Sequence, residues 1–362
     1  MPHKNINLNE ILAYKEIISK KKVKKANFTS LQKIVKKCSD PIFDDLKVYL
    51  VLTLKWHFDY LAKTRKDPNQ LNTTLEFWQN IFFIFSELKK NGWICPSKKI
   101  KNKKDIWKIT RNAFDFMWPK NTDKKKFLAS SYLAKVRMKQ IISKISKNRN
   151  FFKDKVVLDS GCGPGRYIDY IIKYKPKKII GIDSGKNIIL NNKKKFKKFK
   201  NVEFLHSKFD TIKLKSSSID FLISAGVLHH TKTPMNKLIK EHARIIKKDG
   251  HFFVFIAGSG GQELDLWKFC RRIMIDVEID YAFKALNNKI SPLRLQGYLD
   301  HSYGEYKSTN RKEFEKMLKA NFRVIKKVDG INGADVTIKT FKNDKYFKNR
   351  FGSGNLRYLC KK

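Results

Sequence analysis

Arginine is scarce in this sequence. Of its 79 basic residues only 13 are Arg, and the net charge of +46 is carried mainly by Lys. The planar guanidinium fork is the side chain best suited to phosphates and base edges. A lysine excess therefore reads first as biased composition on a solvated surface, and second as the mark of an anionic partner. The excess is spread evenly, +22 over residues 1–150 and +24 over the remainder, although Lys21-Lys22-Val23-Lys24-Lys25 and the run Lys193 to Lys200 could make weak anionic contacts. Cysteine is also sparse. Cys38, Cys95, Cys162, Cys270 and Cys360 are odd in number and scattered, with no metal-ligand or redox spacing, which argues against a disulfide framework and a zinc site. No apolar segment follows the N-terminus as a signal peptide would require, and the longest apolar runs, near Val48–Leu54 and Ile81–Phe85, are far short of a membrane span. The expectation is a cytoplasmic protein without a transmembrane segment. With 41% hydrophobic and 13% aromatic residues among 362, the chain can bury a substantial core and has room for two domains.

The most informative stretch runs from Lys155 to Ser184. An apolar run, Val156-Val157-Leu158, ends in Asp159 and is followed by Gly161-Cys162-Gly163-Pro164-Gly165. A helix-like segment from Arg166 to Lys175 leads to a second apolar run, Ile179 to Ile182, closed by Asp183. This order, strand, glycine turn, helix, strand, is one βαβ unit. Glycines let a ligand approach the backbone, and the helix start beyond offers unpaired N–H groups. Asp183, 22 positions after Gly161, ends the second strand where an acid can accept both hydroxyls of a ribose. A dinucleotide fingerprint would need a glycine where Arg166 stands, and a phosphate loop would need Gly-Lys-Ser/Thr.

The form Val-Leu-Asp-Ser-Gly-Cys-Gly-Pro-Gly-Arg-Tyr resembles motif I of the class I S-adenosylmethionine-dependent methyltransferases, and Asp183 matches that family's ribose acid. Farther on, Val227-Leu228-His229-His230-Thr231 resembles the methyltransferase type 11, ubiquinone-biosynthesis-like branch. The resemblance covers roughly residues 110–362. It implies an α/β domain with a Rossmann-like, seven-stranded, mostly parallel sheet and helices on both faces, preceded by an N-terminal helical extension. S-adenosylmethionine is the cofactor it implies.

Periodicity agrees from residue 151 onward. Strands are expected at Lys155–Asp159, Lys178–Asp183, Val202–His206, Ile219–Ala225 and His251–Ala257, with helices between, a helix at Asn236 to Lys247, and two last strands at Phe322 to Val328 and Leu356 to Cys360. Residues 1–105 read as a helical domain, with amphipathic stretches at Asn9 to Lys20, Ser30 to Cys38, Ile42 to Thr64 and Thr73 to Lys90. Lys98 to Lys104 is the expected connector to a methyltransferase domain at 106–362. Its segment 262–306 is too long for a connection and reads as a lid-like insertion.

By the resemblance, Asp159, Gly161 and Gly163 meet the donor's amino-acid end and Asp183 its ribose. The remaining donor-side candidates are Cys162, Gly165, Tyr167, Ser184, Lys208, Phe209 and Ala225. Lys208 and Phe209 stand where that family often has an acid–small pair beside the adenine. His229 and His230 lie in the loop after the fourth strand, where an imidazole can touch the acceptor and take its proton. Trp118, in a lead-in patch Phe114 to Pro119, and Tyr303, in the insertion, are the substrate-side candidates. The expected activity is methylation of a small or lipid-like acceptor. An RNA or protein methyltransferase that binds through its basic N-terminal region is the alternative, and a non-catalytic S-adenosylmethionine-binding protein is a third.

Overall fold

A computed structural model describes residues 27–64, 70–90, 105–120, 124–145, 150–328 and 349–362. The expected stretch Asn9 to Lys20 and the expected connector Lys98 to Lys104 lie outside them. The chain divides into two compact units, one of residues 1–104 and 265–303, the other of residues 105–264 and 304–362.

The first unit is helical. It opens with α1 (Phe28–Lys37), whose start is fixed by a reciprocal cap: Asn27 Oδ1 accepts from the Ser30 N–H and Ser30 Oγ accepts from the Asn27 N–H. Pro41 opens a short 3₁₀ turn capped by Asp40, then α2 (Asp44–Thr64) and α3 (Leu71–Lys90) follow. The aromatic stripe of α3 is partly core, with Trp78 and Phe82 buried, while Phe77 is exposed.

The second unit begins with α4 (Ile106–Lys120) and α5 (Lys124–Ile145). The alternating part then runs β1 (Val156–Ser160), α6 (Arg166–Ile171), β2 (Lys178–Asp183), α7 (Lys186–Lys195), β3 (Val202–His206), β4 (Ile219–Ala225), α8 (Met235–Ile245) and β5 (Ile246–Ala257). The insertion supplies α9 (Gln262–Met274), α10 (Ile279–Leu286) and α11 (Pro292–Tyr303). Finally α12 (Arg311–Lys319), β6 (Val324–Lys327) and β7 (Asn355–Lys361) complete the sheet.

The seven strands stand in the order β3-β2-β1-β4-β5-β7-β6, parallel except β7, which is antiparallel to both neighbours. The expected Rossmann-like sheet is therefore present, with both faces covered. Val157, Phe221 and Phe253 point to the face packed by Met138 and Ile141 of α5 and Ile168 and Ile171 of α6. Their neighbours Leu158, Leu222 and Phe252 point to the other, packed by Leu238 and Ile239 of α8 and Phe314 and Leu318 of α12. That alternation is the period of two that a strand imposes, and burial on both faces is why the strands read as continuous apolar runs. β5 begins five residues earlier than expected. Ile246 pairs with Ile219, the register shifts between Ile219 and Phe221, and Asp249-Gly250 lies within the irregularity.

The insertion differs from the sequence reading in its allegiance. Its helices α10 and α11 pack on α2, burying Ala282, Leu286, Leu295, Tyr298 and Leu299, and the Tyr298 hydroxyl donates to the Val48 carbonyl at 3.0 Å. The apolar faces of these helices thus belong to the core begun by the N-terminal helices. Among the described residues no helix is long and apolar enough to cross a membrane.

Candidate active site

The carboxyl ends of β1, β2 and β4 bring most of the candidate residues to one end of the sheet. Three glycines with positive φ shape the turn after β1: Gly161 (+80°), Gly163 (+49°) and Gly165 (+78°). A Cβ on Gly161 would lie 2.3 Å from Val227 Cγ2, so glycine is required there both by conformation and by the β4 loop pressed against it. The turn is tied to β2 through the Gly161 and Cys162 N–H groups, which donate to the Ile182 carbonyl at 2.8 and 3.0 Å. It is latched from α7 as well: the Asn192 side-chain amide donates to the Gly163 carbonyl at 2.6 Å, and Lys195 Nζ to that of Pro164 at 3.0 Å.

Two buried acids stand at this end. Asp159 is 1% exposed and its Oδ2 has no hydrogen-bond partner among the described residues. Burial lifts its carboxyl from 3.8 to about 7, the Arg166 charge pulling it down and the Asp183 charge adding to the rise. Asp183 accepts from the Gly163 N–H at Oδ2 and the Gly185 N–H at Oδ1, both at 3.0 Å. Burial raises it to about 6, against the pull of the Gly185, Gly163 and Ser184 N–H groups, with Asp115 adding repulsion. Behind Asp159, the Ser160 hydroxyl lies 2.9 Å from His242 Nε2, and His242 Nδ1 lies 2.7 Å from the Leu238 carbonyl. The carbonyl can only accept, so Nδ1 carries the hydrogen and Nε2 receives the hydroxyl. Burial depresses His242 to about 4, keeping this strut neutral.

The loop after β4 folds Leu228–His230 into a 3₁₀ turn. His229 is buried, and its Nδ1 accepts from the Ala257 N–H at 3.3 Å. The neutral His229 ring therefore carries its hydrogen on Nε2. His230 is the opposite: Nδ1 lies 2.8 Å from the Glu305 carbonyl, which can only accept, so the neutral ring has its lone pair on Nε2. Tyr306 stacks on His229 with ring centroids 5.2 Å apart, and Phe114 meets His230 edge-on at 4.7 Å.

Other candidates are distributed less evenly. Tyr167 is buried, its hydroxyl 2.6 Å from Arg137 Nη1, and Ala225 ends β4 beside Phe255 of β5. The Trp118 indole lies 3.9 Å from where a Cβ on Gly163 would be, and the Arg166 guanidinium sits 4.9 Å from its ring. Ser184 carries its carbonyl 3.0 Å from His206 Nε2. Lys208 is exposed, whereas Phe209 is buried with Ile212, Leu228 and Met235 in the core. Cys162 is a buried thiol that burial holds well above its usual range. Tyr303 ends α11 and belongs to the helical unit, so it is not among the residues gathered in the sheet unit.

Sequence reasoning missed Asp115, Asn192, Arg137 and Phe255. The first explains a glycine: Gly185, two places past Asp183, has an ordinary φ of −89° and no turn that would require it. Its absent Cβ would stand 2.5 Å from Asp115 Oδ1, so glycine there marks an approaching side chain. Among the described residues no group of three or more His, Cys, Asp or Glu is arranged to hold a metal ion.

Residues 158–254 match the family described as a methyltransferase domain. The tRNA U34 carboxymethyltransferase of Helicobacter pylori (strain P12) is 32% identical over 102 residues, 25% of this chain and 37% of the relative. That of Cellvibrio japonicus (strain Ueda107) is 28% identical over 121 residues, 32% of this chain and 36% of the relative. The chain thus spans little more than a third of the length of these curated relatives. A solved structure, the complex between the Haloferax volcanii Trm112 methyltransferase activator and a methyltransferase, matches 68% of this chain and 96% of its own at 15% identity, with a TM-score of 0.44. The matched segment begins within β1 and ends within β5, spanning the glycine turn, Asp183 and the β4 loop. Within the sheet unit, the segment 158–254 is thus similar to a methyltransferase domain.

Proposed function

We propose that the protein transfers a methyl group from S-adenosylmethionine, held between the glycine turn and Asp183, to an RNA acceptor presented at the end of β4. The observation that carries the donor assignment is Asp159, a buried acid whose Oδ2 has no partner among the described residues and whose carboxyl burial lifts to about 7. Such a group is completed by a cation, and the donor's ammonium is one. The surroundings fit the rest of the molecule. Gly161 and Gly163 offer backbone with no Cβ, and each Asp183 oxygen that accepts one N–H retains a lone pair for a ribose hydroxyl. Cys162, Gly165 and Tyr167 line the turn and the helix beyond it. Ser184, Lys208 and the edge of Phe209 would border the adenine, and Ala225 the reacting end.

When bound, S-adenosylmethionine supplies an electrophilic methyl group on a sulfonium. The protein's own contribution is placement and removal of a proton. His230, with its lone pair on Nε2, can take the acceptor's proton, while His229, tied to the Ala257 N–H, orients the loop that carries it. Phe114 and Tyr306 enclose His230 and exclude water, and Trp118 borders the turn on the side of α4. Fixing two reactants in line is worth up to roughly 7–11 kcal/mol of barrier, so methyl transfer needs little beyond it.

The acceptor reading departs from the small or lipid-like compound that the sequence suggested. Two facts support RNA: the curated relatives are named for tRNA U34, and the chain carries a net charge of +46. A small aromatic acceptor is the second reading, favoured by the ring enclosure about His230, which suits a planar molecule as well as an unstacked base. Methyl-labelled S-adenosylmethionine, offered to the protein with cell extract split into RNA, protein, lipid and small-molecule fractions, separates them. Label in RNA that vanishes in Asp183→Ala is the expected result. Label confined to the small-molecule or lipid fraction would replace the first reading with the second.

A further inference from the structure

The start of α7 has an unusual arrangement of partners. Helix starts leave N–H groups without intrahelical acceptors, and an adjacent Ser, Thr, Asp or Asn ordinarily supplies one. Here the cap position is Gly185, which has no side chain to offer. Two carboxylates from other elements divide the N–H groups instead. Asp183 of β2 takes that of Gly185 at 3.0 Å. Asp115 of α4, some seventy residues away in sequence, takes those of Asn187 and Ile188 on Oδ1 at 2.9 and 3.1 Å, and the Asn187 side-chain amide on Oδ2 at 3.0 Å. Gly185 makes this approach possible, since any larger residue would put its Cβ 2.5 Å from Asp115 Oδ1.

The ribose acid and Asp115 thus grip one short peptide, Gly185 to Ile188, from its two ends. The orientation of the Asp183 carboxylate depends on where the Gly185 N–H points. That N–H is held by a helix start which has no side-chain cap at its own cap position.

We infer that Asp115 is a positioning residue for the donor: by capping α7 from α4 it fixes the Gly185 N–H, and through it the Asp183 carboxylate, in the orientation that receives the ribose. The inference rests on the donor site proposed above. Residues on the same helix extend the grip to the other loops of the site. Phe114 packs on His230 of the β4 loop, and Trp118 lies beside Gly163 of the β1 turn. Thr110 Oγ1 accepts from the Glu305 N–H at 3.0 Å. One helix therefore touches the loops after β1, β2 and β4, and Asp115 is its charged contact with the middle one.

The test is calorimetric titration of S-adenosylhomocysteine into the full chain, comparing wild type with Asp115→Ala, Asp115→Asn, Asp183→Ala and the Asp115→Ala/Asp183→Ala pair. Asp115→Ala should weaken binding about tenfold, the effect of losing one helix cap at a site where the cap also aims a ligand group. Asp115→Asn should lose less, because its amide oxygen still accepts from Asn187 and Ile188. The double variant should bind no more weakly than Asp183→Ala alone, since Asp115 acts through Asp183. Additive losses, or wild-type affinity in Asp115→Ala, would overturn the inference. Gly185→Ala displaces Asp115 without changing its charge and should reproduce the loss. Thermal melts of each variant separate misfolding from misplacement, so that a folded Asp115→Asn or Gly185→Ala decides the matter if Asp115→Ala does not fold. A wild-type chain that binds no S-adenosylhomocysteine would instead refute the donor site itself.

Discussion

Asn192 and Gly163 are joined by a hydrogen bond of 2.6 Å in which the side-chain amide of α7 donates to the carbonyl of the glycine turn. Asn192 is 2% exposed, so that carbonyl has no ready substitute in solvent. Replacing Asn192 with Leu keeps the volume and removes the donor. The expected cost is about 1–3 kcal/mol of stability, the penalty for a buried carbonyl left unpaired. Donor-analogue affinity should fall as well, because the turn loses its tie to α7. Urea melts and S-adenosylhomocysteine titration measure the two, and a variant as stable as wild type would remove Asn192 from the account.

Asp159 makes stability depend on pH in an uncommon direction. Its folded value, about 7, lies above the ordinary 3.8, so the folded state holds this proton more tightly than the unfolded chain does. Its stabilising contribution is complete below about 3.8 and is lost as pH rises through about 7. Asp183, raised to about 6, acts in the same sense. In the absence of donor, Asp159→Asn should flatten the decline of melting temperature between these limits while leaving the acid side unchanged. An identical pH slope in the variant would refute the assignment. S-adenosylhomocysteine should bind wild type more tightly above pH 7 than below, because its ammonium selects the ionised acid.

Gly161→Ala joins two separable penalties. The backbone there has φ of +80°, and the new methyl would meet Val227 Cγ2 at 2.3 Å. The conformational part costs on the order of 1–3 kcal/mol, with the steric part added to it. The second change Val227→Ala should recover the steric part and leave the conformational one. Chemical denaturation of the three variants checks this, and full recovery in the double variant would show that φ contributes nothing.

The two histidines should fail differently. His229→Ala leaves the Ala257 N–H without its acceptor and removes the ring stacked on Tyr306, so its loss falls chiefly on stability, about 1–3 kcal/mol. His230→Ala should lower kcat about 10²–10⁴-fold, the usual worth of a general base, with S-adenosylhomocysteine affinity unchanged. A His230→Ala enzyme with normal kcat would assign the proton to solvent or to the acceptor itself.

Much of the sheet was legible because its signals are local. Val156 to Asp159, Ile179 to Asp183 and Ile219 to Ala225 are apolar runs bounded by turns, and burial on both faces leaves few polar residues to interrupt them. The glycine turn and Asp183 were legible from spacing alone. What escaped depends on contacts remote in sequence. Nothing in Phe114-Asp115-Phe116 says that its acid caps a helix beginning at Lys186, and nothing in His229-His230 reveals that one nitrogen meets an N–H and the other a carbonyl. The insertion was recognised by its length, but its partner was not. The apolar faces of α10 and α11 fit many surfaces, and only the folded chain shows that α2 receives them.

The helical unit is assembled from two lengths of chain separated by the greater part of the sheet unit. On the ribosome, α1 to α3 therefore emerge long before α10 and α11 exist to cover α2. The sheet as far as β5 is synthesised during that wait, so the N-terminal helices spend the interval with apolar surface uncovered. A fragment ending before α10 is therefore expected to aggregate more readily than the full chain.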